Sequence, residues 1–446
     1  MNIFFISLGC DKNRVDSETM LGLLYEKGHT VTDDESEADV IVVNSCCFIG
    51  DAKEESINTI IEMAEYKETG MCKALIVTGC LAQRYAKEIR EELPEVDAIV
   101  GTTAYEHIAD IIEEAVAGKM PQKLEDINYL PTVHAKRIVT TGGYYSYLKI
   151  AEGCDKCCTY CVIPKVRGSY RSVPMEQLIK QAEELVEGGV RELMLVAQET
   201  TLYGVDLYGK KSLPELLRKL SEIEDLHWIR ILYCYPEEIG EELIDTIAEL
   251  PKVCNYLDIP IQHASDTVLK RMGRRTTQAE LVEKIEMIRR KIPDITLRTT
   301  LICGFPGETE QDHEELLSFV EKMQFDHLGA FTYSREEDTP ADLLEGHMEE
   351  EEKERRRDEV MQLQQEISFA RADKLCGRKL EVMIEGRLPE DDVYIGRTCM
   401  DAPDIDGYIF MDADKMRMSG DFVMAEVVQA NGYDLIGVIV EDEFTE

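Results

Sequence analysis

The chain has 446 residues, 44% of them hydrophobic and 31% charged, a length that can bury several cores and predicts two to four domains. Its formal net charge of −40 argues against a general phosphate-gripping surface, and no run approaches the roughly 18 to 20 apolar residues of a membrane span. Fourteen cysteines would allow a disulfide framework in a secreted protein. The opening Met1 to Cys10, however, lacks a basic region and its apolar run is short for a cleaved leader, so reduced, cytosolic thiols are expected.

From residue 1 to about 118, short apolar runs alternate with amphipathic stretches. Ile3 to Leu8, Val40 to Asn44, Ala74 to Thr78 and Ala98 to Val100 read as buried parallel strands, with helices including Asp16 to Glu26 and Lys53 to Lys67 between them. Cys10, Cys46 and Cys80 each follow one of these strands. Ligands collect at the carboxyl edge of open parallel sheets, so three thiols delivered there can converge on a metal cluster. Singly, each is equally a small buried hydrophobe. Cys47 and Cys72 lack that placement and are read as structural.

Pro121, Pro131, Gly142 and Gly143 mark a connector over 119–143. Six strand signals follow, at Ser146 to Ala151, Glu192 to Ala197, Trp228 to Leu232, Tyr256 to Ile261, Thr296 to Cys303 and His327 to Tyr333. Helical stretches between them include Met175 to Glu187, Leu213 to Ile223, Gln278 to Lys291 and Thr309 to Met323. Six such units over 144–345 predict a complete or partial parallel barrel.

In the loop after its first strand, Cys154, Cys158 and Cys161 form C-x-x-x-C-x-x-C. Cluster sites normally take four cysteines, so a compact trio suggests a four-iron cluster with one iron left open. Cys157 permits another reading, two abutting C-x-x-C pairs for zinc, although zinc pairs are usually a dozen or more residues apart. At later strand ends, Gln198, Glu199, Gln262 and His263 could hold a ligand or serve the core. Gly304-Phe305-Pro306-Gly307-Glu308 is either a backbone approach to a ligand or a plain turn. Arg167, six residues past Cys161, either contacts a cofactor or pairs with a carboxylate.

Residues 346–377 read as one long, solvated, charged helix without assigned chemistry. Beyond it, Leu380 to Ile384, Asp392 to Arg397, Gly407 to Phe410, Phe422 to Gln429 and Leu435 to Val440 alternate like a small all-β barrel spanning 378–446. Residues 380–446 hold 17 Asp or Glu against four Lys or Arg, a balance of −13. Such a module suits a basic partner.

The cysteine trio resembles the signature of radical S-adenosylmethionine enzymes. With an N-terminal domain carrying three scattered cysteines and a C-terminal barrel like a TRAM domain, nearly the whole chain resembles the methylthiotransferase family. The resemblance implies a multidomain α/β protein. Its parts would be an N-terminal parallel sheet, a partial (β/α)6 radical S-adenosylmethionine barrel and an all-β TRAM barrel. It further implies two [4Fe-4S] clusters, one on Cys154, Cys158 and Cys161 with S-adenosylmethionine on its open iron, the other on Cys10, Cys46 and Cys80 for sulfur delivery. Electron and sulfur donors are then required partners.

The family divides into enzymes that modify a transfer-RNA adenosine and enzymes that modify an aspartate of a ribosomal protein. Ser7 to Glu18, Gln198 to Gly204, Asp258 to Ser265 and Tyr333 to Ala341 resemble the protein-modifying branch, although Asp11 stands where that branch usually has proline. The tail's −13 independently favours a basic ribosomal protein of the small subunit over RNA. Modification of transfer RNA and a non-catalytic metal-binding adaptor are the competing readings.

Overall fold

A computed structural model describes residues 1–132, 136–388, 392–413 and 415–440. Residues 133–135 of the expected connector, and 389–391, 414 and 441–446 of the C-terminal module, lie outside them.

The N-terminal unit is a six-stranded parallel sheet of β1 (Asn2–Ser7), β2 (Thr30–Val31), β3 (Val40–Ser45), β4 (Ala74–Gly79), β5 (Ala98–Val100) and β6 (Gln122–Lys123), in the order β2-β1-β3-β4-β5-β6. Every residue of β3 and β4 is buried, as expected of strands covered on both faces by helices. Two edge strands escaped the sequence reading, and one of them, β6, falls inside the expected connector. Both are two-residue, exposed pairings without an apolar signal. Cys47 and Cys72 join the core of this unit.

The central unit is an open parallel sheet of β7 (Tyr145–Lys149), β10 (Glu192–Val196), β11 (Trp228–Ile231), β12 (Val253–Asp258), β13 (Thr296–Cys303) and β14 (His327–Thr332), with the chain order kept across the sheet. It is thus a partial (β/α)6 barrel. A short antiparallel ribbon, β8 (Ala151–Glu152) with β9 (Arg171–Ser172), flanks the loop of the cysteine trio.

Helix Glu350–Asp373 departs from expectation. It packs along β14 and the helix Glu310–Met323 and buries Lys353, Arg356, Val360, Gln364 and Ile367. Its buried stripe is largely polar, satisfied by Arg356 on Glu308 (2.8 Å) and Gln364 on the Phe325 carbonyl (2.9 Å), so hydrophobic periodicity could not reveal it.

The last unit is a closed five-stranded barrel of β15 (Lys379–Leu388), β16 (Val393–Thr398), β17 (Ile409–Asp412), β18 (Phe422–Asn431) and β19 (Asp434–Val440), in the order β15-β16-β17-β19-β18. It docks on the central sheet through a buried ionic cluster. Glu192 accepts from Arg230 at 2.9 Å and from Arg397 at 2.6 Å, all three fully buried. No described helix is long and apolar enough to cross a membrane.

Candidate active site at the seam of two cysteine trios

Cys10, Cys46 and Cys80 stand at the carboxyl ends of β1, β3 and β4, which are neighbours in the sheet, so strand order gathers what sequence scatters. Cys10 precedes helix Asp11–Glu26 and Cys80 opens helix Cys80–Arg84. Gly9 and Gly79, each just before a cysteine, have φ of +84° and +91°, a region glycine enters without steric cost. A Cβ on Gly9 would lie 2.8 Å from Cys46 Sγ. Burial first, then the neighbouring thiols of Cys80 and Cys10, push Cys46 up to about 12.

The second trio follows β8. Gly153, again just before a cysteine, has φ +78°. Burial, and after it Cys158 and Cys154, push Cys161 up to about 12. Cys157 is exposed, with φ +53°, apart from the buried Cys154 and Cys158. Among the described residues no group of these side chains closes on one ion.

Each donor set fits such a cluster chemically. Burial raises the pKa of the Cys46, Cys80, Cys154 and Cys161 thiols, and bound metal charge would reverse that preference. The surrounding donors also point at sulfur. Tyr235 Oη lies 3.5 Å and Arg274 Nη1 3.9 Å from Cys158 Sγ, while Arg167 Nε donates to Cys80 Sγ at 3.3 Å.

Two contact chains run from the N-terminal trio to the barrel, one to Glu152, two residues before Cys154, and one to the loop whose Tyr235 touches Cys158. On one, Arg167 also binds Asp16 (2.6 Å), Glu152 (3.2 Å) and Asn13 Oδ1 (2.9 Å). Glu152 accepts from Gln198 (3.0 Å), and Lys149 joins Asp16 and Glu152. On the other, Lys12 and Asp11, just after Cys10, meet Tyr233, two residues before Tyr235. Both cysteine trios therefore face one seam between the N-terminal sheet and the carboxyl end of the barrel.

The other expected site residues divide. Arg167 pairs with carboxylates and touches Cys80, placing it at the N-terminal trio. Gln198 reaches Glu152, and its Oε1 is buried without a partner. Glu199 is fully buried, with Oε1 held by Thr201 and Oε2 without a partner; burial pushes its carboxyl up to about 7 against those hydrogen bonds. Gln262 has φ +73° and pairs through its backbone with Thr300 and Ile302. His263 is fully buried, accepts from Ser265 N at 3.0 Å, leaves Nε2 without a hydrogen-bond partner, and burial lowers its pKa to about 3.

Gly304 and Gly307, with φ of +75° and +80°, lie against Lys353 and Arg271. Sequence reasoning missed Lys12, Asn13, Glu152, Tyr233, Tyr235 and Arg274, whose roles depend on partners far along the chain. Positive φ at Tyr233, +60°, has no sequence signature.

Family models match residues 2–101 (uncharacterized protein family UPF0004), 148–320 (radical SAM superfamily) and 376–440 (TRAM domain). Together with the two trios, they define the chain as a radical S-adenosylmethionine methylthiotransferase. Ribosomal protein uS12 methylthiotransferase RimO of Lachnoclostridium phytofermentans is 63% identical over 98% of this chain and 99% of its own length. RimO of Clostridioides difficile is 51% identical over 99% of each. The chain belongs to the RimO family.

Among solved structures, the radical S-adenosylmethionine methyltransferase TsrM from Kitasatospora setae matches with a TM-score of 0.56 at 12% identity, covering 76% of both chains. At that identity the likeness shows the fold alone.

Proposed function

We propose that this chain adds a methylthio group to the β-carbon of an aspartate in ribosomal protein uS12. The observation that carries the reading is the shared seam: two trios on separate domains, Cys10, Cys46, Cys80 and Cys154, Cys158, Cys161, connected through Tyr233 to Tyr235 and through Arg167 to Gln198. Full-length identity to the uS12 enzymes supports the same substrate.

Each trio would hold a [4Fe-4S] cluster with one open iron. Bound there, S-adenosylmethionine and the two clusters supply the hydrogen-abstracting radical and the sulfur that no side chain can provide. The chain's own residues do the remaining work. Arg167 and Asn13 fix the N-terminal trio against the barrel, while Tyr235 and Arg274 donate toward Cys158. Gln198 and Glu199, each with a buried oxygen lacking a partner, offer polar groups at the barrel mouth. Closure of the N-terminal sheet over that mouth keeps water from a reactive carbon.

The TRAM barrel would dock the basic substrate. Arg397, one of its few cations, is fully buried against Glu192 and Glu385. The chain would divide into domains 1–118, 144–345 and 378–446, joined by 119–143 and 346–377, with the β6 pairing carrying the first sheet into the connector, and an enzyme that works on a ribosomal protein would act in the cytoplasm.

The test incubates reconstituted enzyme with uS12, S-adenosylmethionine and a reductant, then reads uS12 by mass spectrometry. One methylthio group on one aspartate is expected. The triple variant Cys10→Ala, Cys46→Ala, Cys80→Ala should still cleave S-adenosylmethionine yet form no product. Product from that variant would remove the N-terminal trio from the reaction.

A further inference from the structure

Lys12, whose contact with Tyr233 links the two halves of the seam, forms its ion pair with Asp11. It is 6% exposed, and a buried ammonium is expensive unless paired. Asp11 lies 2.8 Å from its Nζ, and the ring of Tyr233 caps it at 3.3 Å from the centroid. The Asp11 carboxylate and the π face of Tyr233 together offset that burial.

The position joins both halves of the site. Lys12 is two residues past Cys10 on the N-terminal sheet. Tyr233, on the loop after β11, is held by its N–H on Asp258 (3.0 Å), and Tyr235 on the same loop touches Cys158. A carbon that must first lose hydrogen near one trio and then receive sulfur near the other has to lie in this gap. In an aspartate side chain the carboxylate is one bond from that carbon and enters the same gap.

Arg167 and Lys149 divide Asp16 and Glu152 between them. Arg274 lies beside Cys158, the Pro260 carbonyl and the Tyr235 ring, with its Nε buried and without a partner. An ammonium has three N–H donors; in Lys12 one goes to Asp11 and the ring face covers another, leaving one for an incoming acceptor.

We infer that Lys12 is the substrate-specificity residue, binding the carboxylate of the target aspartate and thereby setting its β-carbon between the trios. The inference rests on the aspartate reading above. Asp11 and the Tyr233 ring hold the ammonium in place before substrate arrives.

The experiment compares the holoenzyme with Lys12→Gln and Lys12→Arg on two uS12 substrates, one with the target aspartate and one with asparagine there, in both methylthio transfer and equilibrium binding. Wild type should favour aspartate by roughly 100-fold in kcat/KM, the scale of a lost charge-assisted contact in a buried site. Lys12→Gln should lose most of that preference by falling on aspartate and not on asparagine, in binding as in turnover. Lys12→Arg should regain part of it. Iron content near the wild-type value certifies that the variants are folded.

Undiminished discrimination in Lys12→Gln would overturn the inference, as would equal losses on both substrates with iron intact. If wild type modified neither substrate, the proposed activity would fall instead. The binding comparison would then still decide Lys12, because loss of aspartate preference in binding needs no turnover.

Discussion

Arg167 Nε donates to Cys80 Sγ at 3.3 Å while its Nη1 pairs with Asp16 at 2.6 Å, so one guanidinium, 2% exposed, ties the N-terminal thiols to the barrel. N–H···S bonds and nearby positive charge favour the reduced, more negative state of a cluster and raise its potential. Arg167→Met should lower the midpoint potential of the N-terminal cluster, measured by redox titration of its spectroscopic signal, and leave that of the other cluster in place. It should also destabilise the fold by roughly 3 to 5 kcal/mol, because Asp16 and Glu152 lose a buried counter-charge. An unchanged potential would make Arg167 a purely structural brace.

Gly79 offers a separate handle on that trio. At φ +91° it sits where a Cβ would meet Asn44 Oδ1 and lie 2.5 Å from the Ser45 carbonyl oxygen. Gly79→Ala should therefore displace Cys80 and cost roughly 1 to 3 kcal/mol in backbone strain. Iron per chain should fall by about half, with the Cys154 trio still loaded and still cleaving S-adenosylmethionine. Full iron content would show that β4 can yield without moving its cysteine.

Much of this arrangement was legible in the amino-acid order, and the limits have physical causes. Strands such as Val40–Ser45 are buried on both faces, so they appear as unbroken apolar runs. Cys10, Cys46 and Cys80 could be grouped because parallel strands bring their carboxyl ends to one edge. Arg167 could not be assigned, since Asp16 lies 151 residues away and no local pattern encodes that pairing. Lys12 stood only within the Ser7 to Glu18 stretch, and its contact with Tyr233, 221 positions along the chain, has no local sequence signal. The helix Glu350–Asp373 looked solvated because Arg356 and Gln364 fill its inner face.

The junction between the barrel and the C-terminal module depends on Glu192. It is the shared acceptor of Arg230 and Arg397, and Arg397 also reaches Glu385 at 2.9 Å. Glu192→Gln would leave two buried guanidinium groups short of charge, costing about 3 to 5 kcal/mol. The expected sign in calorimetry is a separate, earlier transition for the five-stranded barrel, with uS12 binding weakened as that module loosens. A single transition shifted by less than a degree would mean that the apolar contacts around Met383 and Phe422 hold the junction alone.

Glu199 predicts a pH dependence whose sign follows from its burial. Its carboxyl is raised from an ordinary 4.5 to about 7, so the folded chain holds the proton that the unfolded chain releases. Its contribution to stability is complete below pH 4.5 and is lost as pH rises through 7, amounting to roughly 3 kcal/mol across the window. Other groups titrate in the same range, so the informative quantity is the difference between wild type and Glu199→Gln. The amide cannot ionise, yet its oxygen can still accept from Thr201 N, which donates to Glu199 at 2.8 Å. Urea midpoints of the metal-free chains at pH 5 and pH 8 should show wild type losing the larger part of its stability, with the variant's curve flatter. Parallel curves would mean that Glu199 ionises at its ordinary pH, and that the oxygen without a protein partner is reached by solvent.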